Sequence, residues 1–246
     1  RLIRMAKFII KEDFWSLFPH AEIGVILATG VDNLLEGNEE FLSEIQDLLS
    51  KANIEAKKYL VEDVFSENIV VAPWREAYRK FKTKKGVRCS IEALLKRVEK
   101  GNEVSTINPL VDIYNAVSLT HGIPCGGEDL DQFAGDLVLG FAKGGESFLA
   151  LGDAEEDPAL PGEIIYQDDI GAVCRCWNWR DGQRTMLTTD TTRAFLIIES
   201  VDPRRSREYR DAMDQLADLV KRYLAKDVNC TYLSTSNREM EIEMEI

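Results

Sequence analysis

Asn108, Asp112, Asn115 and Ser118 stand at spacings that put all four side chains on one face of a helix. That helix runs into Gly122-Ile123-Pro124-Cys125-Gly126-Gly127-Glu128-Asp129, with Asp131 close behind. Glycines there let the backbone turn tightly and approach a ligand, and the carboxylates follow within a few residues. Amides, a hydroxyl and carboxylates grouped this way beside a tight glycine turn could surround a bound ligand. The chain shows no Ser-His-Asp or Cys-His arrangement for covalent attack. On residues alone, a capped surface helix followed by an acidic loop is the competing interpretation.

Two further stretches carry chemical potential. Arg175-Cys176-Trp177-Asn178-Trp179-Arg180-Asp181 mixes aromatic rings, cations and an amide. Alternation on a strand would put Trp177 and Trp179 on one face and Asn178 and Arg180 on the other. The tryptophans are either core or a stacking platform for a terminal base, with Arg180 and Arg184 on phosphate. Between Arg75 and Lys100 stand ten basic residues against three acids, a local charge of +7, whereas the whole chain carries −13. The body apart from this stretch is therefore at −20, and the basic stretch is a footprint for polyanions or a set of solvated faces. His121 reads as a helix-end residue. Arg204, Arg205, Arg207 and Arg210 read as a solvated helix start or a second phosphate contact.

The elements that must position these groups follow from periodicity. Residues 22–29 read as a buried strand ending at Gly30, and Asn38 caps a helix with Phe41, Ile45, Leu48 and Ala52 on one side. Residues 55–65 are expected to be helical. Pro73 opens a helix with Trp74, Ala77, Tyr78 and Phe81, and Ser90 is expected to cap another, stopped by Gly101. Asn108-Pro109 starts the helix to His121. Short β-type runs follow at 137–142, 147–149, 163–166, 172–176, 184–187 and 194–200. Residues 206–226 form an amphipathic helix, 229–234 a returning strand, and 238–246 an alternating edge strand or a free end. Helices, then strands, then a helix make an α+β pattern in one domain spanning 1–246.

Composition sets the class. Hydrophobic content of 45% and charged content of 30% are those of a soluble globular protein. No apolar run nears the roughly 18 residues of a membrane span, so no membrane partner is expected. Lys7 to Lys11 break the early apolar run, no cleavage site follows, and Met5 is a candidate natural start. Five scattered cysteines read as free cytosolic thiols, so the expected location is cytoplasmic. With only His20 and His121 to help Cys174 and Cys176, no metal site is expected, and no cofactor either.

From Ile107 to Asp131 the chain resembles, without a gap, the B3/B4 editing module of the bacterial phenylalanyl-tRNA synthetase β-subunit. That family reads Ile-Asn-Asn-Val-Val-Asp-Val-Thr-Asn and then Gly-Gln-Pro-Leu-His-Ala-Phe-Asp. Shared here are Ile107, Asn108, Val111, Asp112, Asn115, Leu119, Gly122, Pro124 and Asp129. Weaker similarity continues through Gly144-Gly145-Glu146 and Pro161-Gly162-Glu163-Ile164-Ile165 to Thr192-Arg193-Ala194-Phe195-Leu196-Ile197-Ile198-Glu199. The resembling core covers residues 70–201, with 1–69 and 202–246 expected as flanking extensions packed on it. The family's histidine falls on Gly126, and bulky and cationic residues at 175–181 replace the family's small residues and glutamate.

The resemblance implies a layered β/β/α domain with mixed or antiparallel sheets. It also implies a cavity that receives the acylated end of tRNA and hydrolyses a wrong aminoacyl ester in trans. The need is physical, because a synthetase pocket rejects a near-isosteric amino acid by only about 100-fold. On this reading Asn115, Ser118, Glu128, Asn178 and Arg180 are the catalytic candidates. Asn108, Asp112, Gly126, Gly127, Asp129, Arg175, Trp177 and Thr192 would bind substrate. Arg79, Lys80, Lys82, Lys84, Lys85 and Arg88 would hold tRNA or aminoacyl-tRNA. No ATP-binding or aminoacylation signature marks a complete synthetase. A non-catalytic RNA-binding module and a sensor for a free amino acid are the alternatives.

Overall fold

Asn108 starts the helix around which the molecule is arranged. In the computed structural model, which describes residues 2–245, its side chain accepts from the Val111 amide at 3.1 Å and Pro109 takes the first turn. Helix α5, Pro109–His121, ends at Gly122, whose φ of 63° is a left-handed cap. Arg205 donates to the His121 and Gly122 carbonyls, placing a cation on the negative end of the helix dipole.

Before α5 come β1 (Ile3–Ile10), α1 (Glu12–Leu17), β2 (Glu22–Thr29), α2 (Glu39–Glu55), α3 (Ala72–Tyr78) and α4 (Ser90–Glu99). After it come β3 (Cys125–Asp129), β4 (Leu137–Phe141), β5 (Ile164–Gln167), β6 (Ala172–Arg175), β7 (Arg180–Asp181) and β8 (Arg193–Ser200). Helix α6 (Ser206–Tyr223), β9 (Asp227–Leu233) and β10 (Glu239–Glu245) close the chain.

The strands form a six-stranded mixed sheet, β10-β1-β4-β5-β6-β7, and a four-stranded antiparallel sheet, β3-β8-β2-β9. Alternation along β2 and β8 decides what each face covers. Ile26, Ala28, Leu196 and Ile198 point to α5 and α6, meeting Leu110, Ile113, Val117, Met213 and Leu216. Ile23, Val25, Phe195 and Ile197 point the other way, onto Phe8, Leu137, Leu139, Ile164 and Tyr166 of the large sheet. Phe8 and Phe195 meet edge to face across this gap, centroids 5.4 Å apart. The fold is α+β, with one helical layer and two stacked sheets.

Segments 1–69 and 202–246 supply strands to both sheets. Strand β1 lies between β10 and β4, and β2 lies between β8 and β9, so both sheets are completed by the flanks. Several expectations need correction. Residues 55–65 do not form one helix: Glu55 ends α2, Ala56–Tyr59 is a 3₁₀ turn, and Phe65 opens another at Phe65–Glu67. Between the two turns the Asn68 side chain accepts from the Val61 and Glu62 amides, holding a loop instead. Ser90 is not a cap, because Cys89 holds that position and the Ser90 amide donates to Asn178. Residues 147–149 and 184–187 belong to no named strand. The acidic tail is the edge strand β10 paired with β1, with Ile242 and Met244 buried; Ile246 lies outside the described residues.

Candidate active site

The gap between the sheets is not filled at one end. Strand β3 pairs with β8 so that Gly126 faces Ile197 and Glu128 faces Phe195. Gly126 and Glu128 therefore share the inter-sheet face with Phe195, Ile197 and Glu199. Asn115 comes down from α5, and Trp177 to Trp179 and Asp181 come from the turn and strand after β6. Together they wall a cavity of about 230 Å³, smaller than the roughly 300–1,000 Å³ of drug-sized pockets. It has room for an amino-acid-sized group. Tyr114, Leu137, Tyr166 and Val173 supply much of its apolar wall.

Segment 176–179 is a turn and not a strand. Cys176 and Trp177 have φ of 46° and 60°, a conformation that costs non-glycine residues about 1–2 kcal/mol each. Neighbours hold it there. The Trp177 amide donates to the Ile164 carbonyl at 2.7 Å, and its indole ring packs with Phe14, Phe18 and Trp74. Trp177 is fully buried core, so it offers no stacking face to a base. Trp179 is half-buried, with the guanidiniums of Arg175 and Arg180 over its ring.

The acids of the cavity are the notable chemistry. Glu199 accepts from Tyr166 Oη and Trp177 Nε1 on one oxygen and from Asn178 Nδ2 at 3.1 Å on the other. Burial nevertheless raises its carboxyl to about 7, against the relief those donors give. Glu128 accepts from Thr185 Oγ1 at 2.9 Å and hydrogen-bonds to Asp181. Burial raises both carboxyls, and that of Glu128 is pushed further by the Asp181 charge. The Asn115 carboxamide lines the cavity, is 8% exposed and hydrogen-bonds to no other described side chain.

The B3/4 domain family matches residues 73–230. The chain belongs to that family. Over 105 residues it is 33% identical to the phenylalanine–tRNA ligase β subunit of Cutibacterium acnes, which covers 42% of this chain and 12% of that protein. The chain thus spans about an eighth of the length of this relative. A crystal structure of an N-terminal fragment of the phenylalanyl-tRNA synthetase β-subunit from Pyrococcus horikoshii aligns at a TM-score of 0.44 and 12% identity, covering 96% of this chain and 53% of the fragment.

Within this B3/4 domain the sequence-derived candidates divide. Asn115, Gly126, Gly127, Glu128, Trp177 and Asn178 meet at the cavity. The remaining candidates do other work. Ser118 turns away, donating to the Ile123 carbonyl at 2.6 Å beneath the end of α5. Asn108 is engaged as a helix cap and accepts from Asn33 at 3.0 Å. Asp112 accepts from the Ile107 amide at 2.7 Å and from Thr106 Oγ1. Asp129 accepts from Thr191 at 2.9 Å, and Thr192 is exposed beyond it. Arg175 is 1% exposed, bound to Glu163 through Nε at 2.9 Å and Nη2 at 2.9 Å. Arg180 is exposed on the outside, near Asp153 at 3.7 Å. The four polar residues on one face of α5 thus serve different neighbours, because each meets a different loop.

Glu199, Asp181, Tyr114 and Tyr166 were not singled out from sequence. One signal was available. Glu199 stands in phase with Phe195 and Ile197, so a carboxylate occupies a core-facing position of an otherwise apolar strand. Among the described residues no three His, Cys, Asp or Glu side chains converge on a metal position, and no helix is long and apolar enough to cross a membrane. Cys89, Cys125, Cys174 and Cys176 are buried free thiols, and Cys230 is exposed. His121 meets Gln215 at 2.6 Å and is held below its usual pKa by burial, away from the cavity lining.

The basic segment hangs at the rim. Tyr78 Oη at its start and the Ser90 amide at its end both bond to Asn178 Oδ1, at 3.1 and 2.9 Å. Arg79, Lys80, Lys82, Lys84, Lys85 and Arg88 are all exposed. Arg79 and Arg88 line a second depression of about 350 Å³ next to Tyr78 and Cys89.

Proposed function

We propose that this B3/4 domain binds aminoacyl-tRNA and hydrolyses misacylated ester in trans. The observation that carries the reading is Asn178, which lines the acid-bearing cavity and anchors both ends of the basic segment. An acyl group in the cavity thereby places the RNA backbone over Arg79 to Arg88.

In the proposed reaction Glu199 takes a proton from a bound water. A carboxylate offers about four lone-pair positions, and three are occupied by its donors, so one is left for that proton. A carboxyl near 7 is matched to accepting and returning a proton at neutral pH. The hydroxide adds to the ester carbonyl, and Asn115 donates to the oxyanion that forms. Collapse breaks the bond to the terminal ribose, whose oxygen takes the proton back from Glu199. Free amino acid and tRNA leave.

The test is deacylation of a panel of mischarged tRNAs by purified protein, with N115A and E199Q beside the wild type. Loss of one oxyanion donor lowers kcat by about 10²–10³-fold. If no mischarged tRNA is turned over faster than in buffer, the proposal fails.

A further inference from the structure

The cavity wall carries three acids, Glu128, Asp181 and Glu199, and no lysine, arginine or histidine. Glu199 already accepts three hydrogen bonds, from Tyr166, Trp177 and Asn178, whereas Glu128 accepts one, from Thr185. Glu128 and Asp181 line the same wall, and burial, with the pair's mutual interaction behind it, drives Glu128 toward its protonated form. The nearest cation, Arg184, is already held by Asp168 through two bonds at 2.7 and 2.8 Å. Two polar groups beside the pair have no partner among the described residues: the Asn115 carboxamide and the Tyr114 hydroxyl.

Asn115 is 8% exposed, and an unpartnered polar side chain buried that far is tolerated where a ligand completes it. The chemistry of these groups defines that ligand. Two carboxyls accept from a donor-rich group, an amide meets either a donor or an acceptor, and the apolar remainder of the wall excludes a polyanion. We infer that the Glu128–Asp181 end of the cavity is a subsite for a protonated amine, with Asn115 on the ligand's neighbouring carbonyl. This rests on the cavity being the acyl site and deepens that reading. An ammonium seated between the carboxyls favours their ionised forms, so binding releases proton to solvent. The groups that act on the pair are Cys174 from β6, Tyr114 from α5, Arg184 and, through Asp181, Glu199 from β8.

The amine has two possible sources, the α-ammonium of an aminoacyl group or a side-chain ammonium. Calorimetric titration of the full chain with three non-hydrolysable amides separates them. Leucinamide carries only the α-ammonium, N-acetyl-lysinamide only the side-chain one, and N-acetyl-leucinamide neither. One of the first two should bind about tenfold or more tighter than the third, as expected for charge-assisted bonds. Its binding heat should also vary with buffer ionisation enthalpy, reporting proton release. E128Q and D181N should remove both effects, with circular dichroism confirming folded protein. If either variant fails to fold, the buffer dependence of the wild type still decides. Equal binding of all three amides, or binding of none at millimolar concentration, overturns the inference. Deacylation without amine preference sinks this subsite alone, whereas amine preference without deacylation sinks the proposed reaction and leaves the subsite standing.

Discussion

Asn178 donates to Glu199, Nδ2 to Oε1 at 3.1 Å, and so ties a strained turn to the one acid of an apolar strand. The bond does not make Glu199 an ordinary carboxylate, because burial outweighs its donors and lifts the group to about 7.

Stability should therefore fall as pH rises. Below the unfolded value of 4.5 Glu199 is protonated in both states. Between 4.5 and about 7 the unfolded chain ionises while the folded one keeps its proton, so folding loses free energy across that window. The loss amounts to about 3 kcal/mol at 1.36 kcal/mol per unit and levels off above the folded value. Glu128 and Asp181 act in the same direction. Urea melts of wild type and E199Q from pH 4 to pH 8 check this. The variant should gain on the wild type with rising pH, and parallel curves would show that Glu199 titrates normally.

The two glycines of β3 should behave differently. A Cβ on Gly127 would meet Leu187 and Leu196 atoms at 2.8 Å, on the face packed beneath the helices. G127A is expected to cost about 1–3 kcal/mol by overpacking. A Cβ on Gly126 would meet only Ile197, at 3.7 Å, so G126A should fall within about 0.5 kcal/mol of wild type. Thermal denaturation of both distinguishes them, and equal losses would contradict the packing. The Cβ of any side chain at position 126 would likewise meet no backbone.

These contrasts show what the sequence made legible. The strand at 22–29, the Asn38 and Asn108 caps, the Gly122 stop and α6 all follow from local signals: a side-chain cap, a left-handed glycine, a 3.6-residue apolar stripe. The turn at 176–179 did not, since its backbone is held by long-range contacts: the Trp177 amide on the Ile164 carbonyl and the Trp177 ring on Phe14, Phe18 and Trp74. Strand β1 carries no local signal of that kind, because its partners, β4 and β10, are far away in sequence. The site was half-legible for the same reason. Motif residues indicated Asn115 and Glu128, but Asp181 and Glu199 reach them only through sheet pairing and packing.

Arg175 and Glu163 supply a third test. Their ion pair is withdrawn from solvent, with 1% and 0% of the side chains exposed. E163Q leaves the buried Arg175 with only the partly exposed Asp157 carboxylate at 3.0 Å, so it should cost about 3 kcal/mol, the low end for a broken buried pair. Glu163 also accepts from the Leu160 amide and the Cys176 thiol, and Arg175 donates to the Asp157 carbonyl. Double replacement E163L/R175M should therefore recover part of the loss and not all of it. Chemical denaturation of the two variants measures this, and a double variant worse than E163Q would reverse the argument.

The rim gives the last prediction. Arg79, Lys82, Lys85 and Arg88 have no acidic partner among the described residues, whereas Lys84 pairs with Asp157 at 2.6 Å and Lys80 lies over the Phe18 ring. If the four free cations meet phosphates, each releases counterions when tRNA binds. Neutralising each should weaken tRNA binding and reduce the slope of log K against log salt by about 0.7–0.9. Lys84→Ala should reduce it less, because Asp157 already compensates that charge. Filter binding or fluorescence anisotropy over a salt series reads both effects. A slope unchanged in the fourfold variant would place the RNA elsewhere, since a polyanion crossing this rim cannot avoid the exposed guanidiniums beside Tyr78.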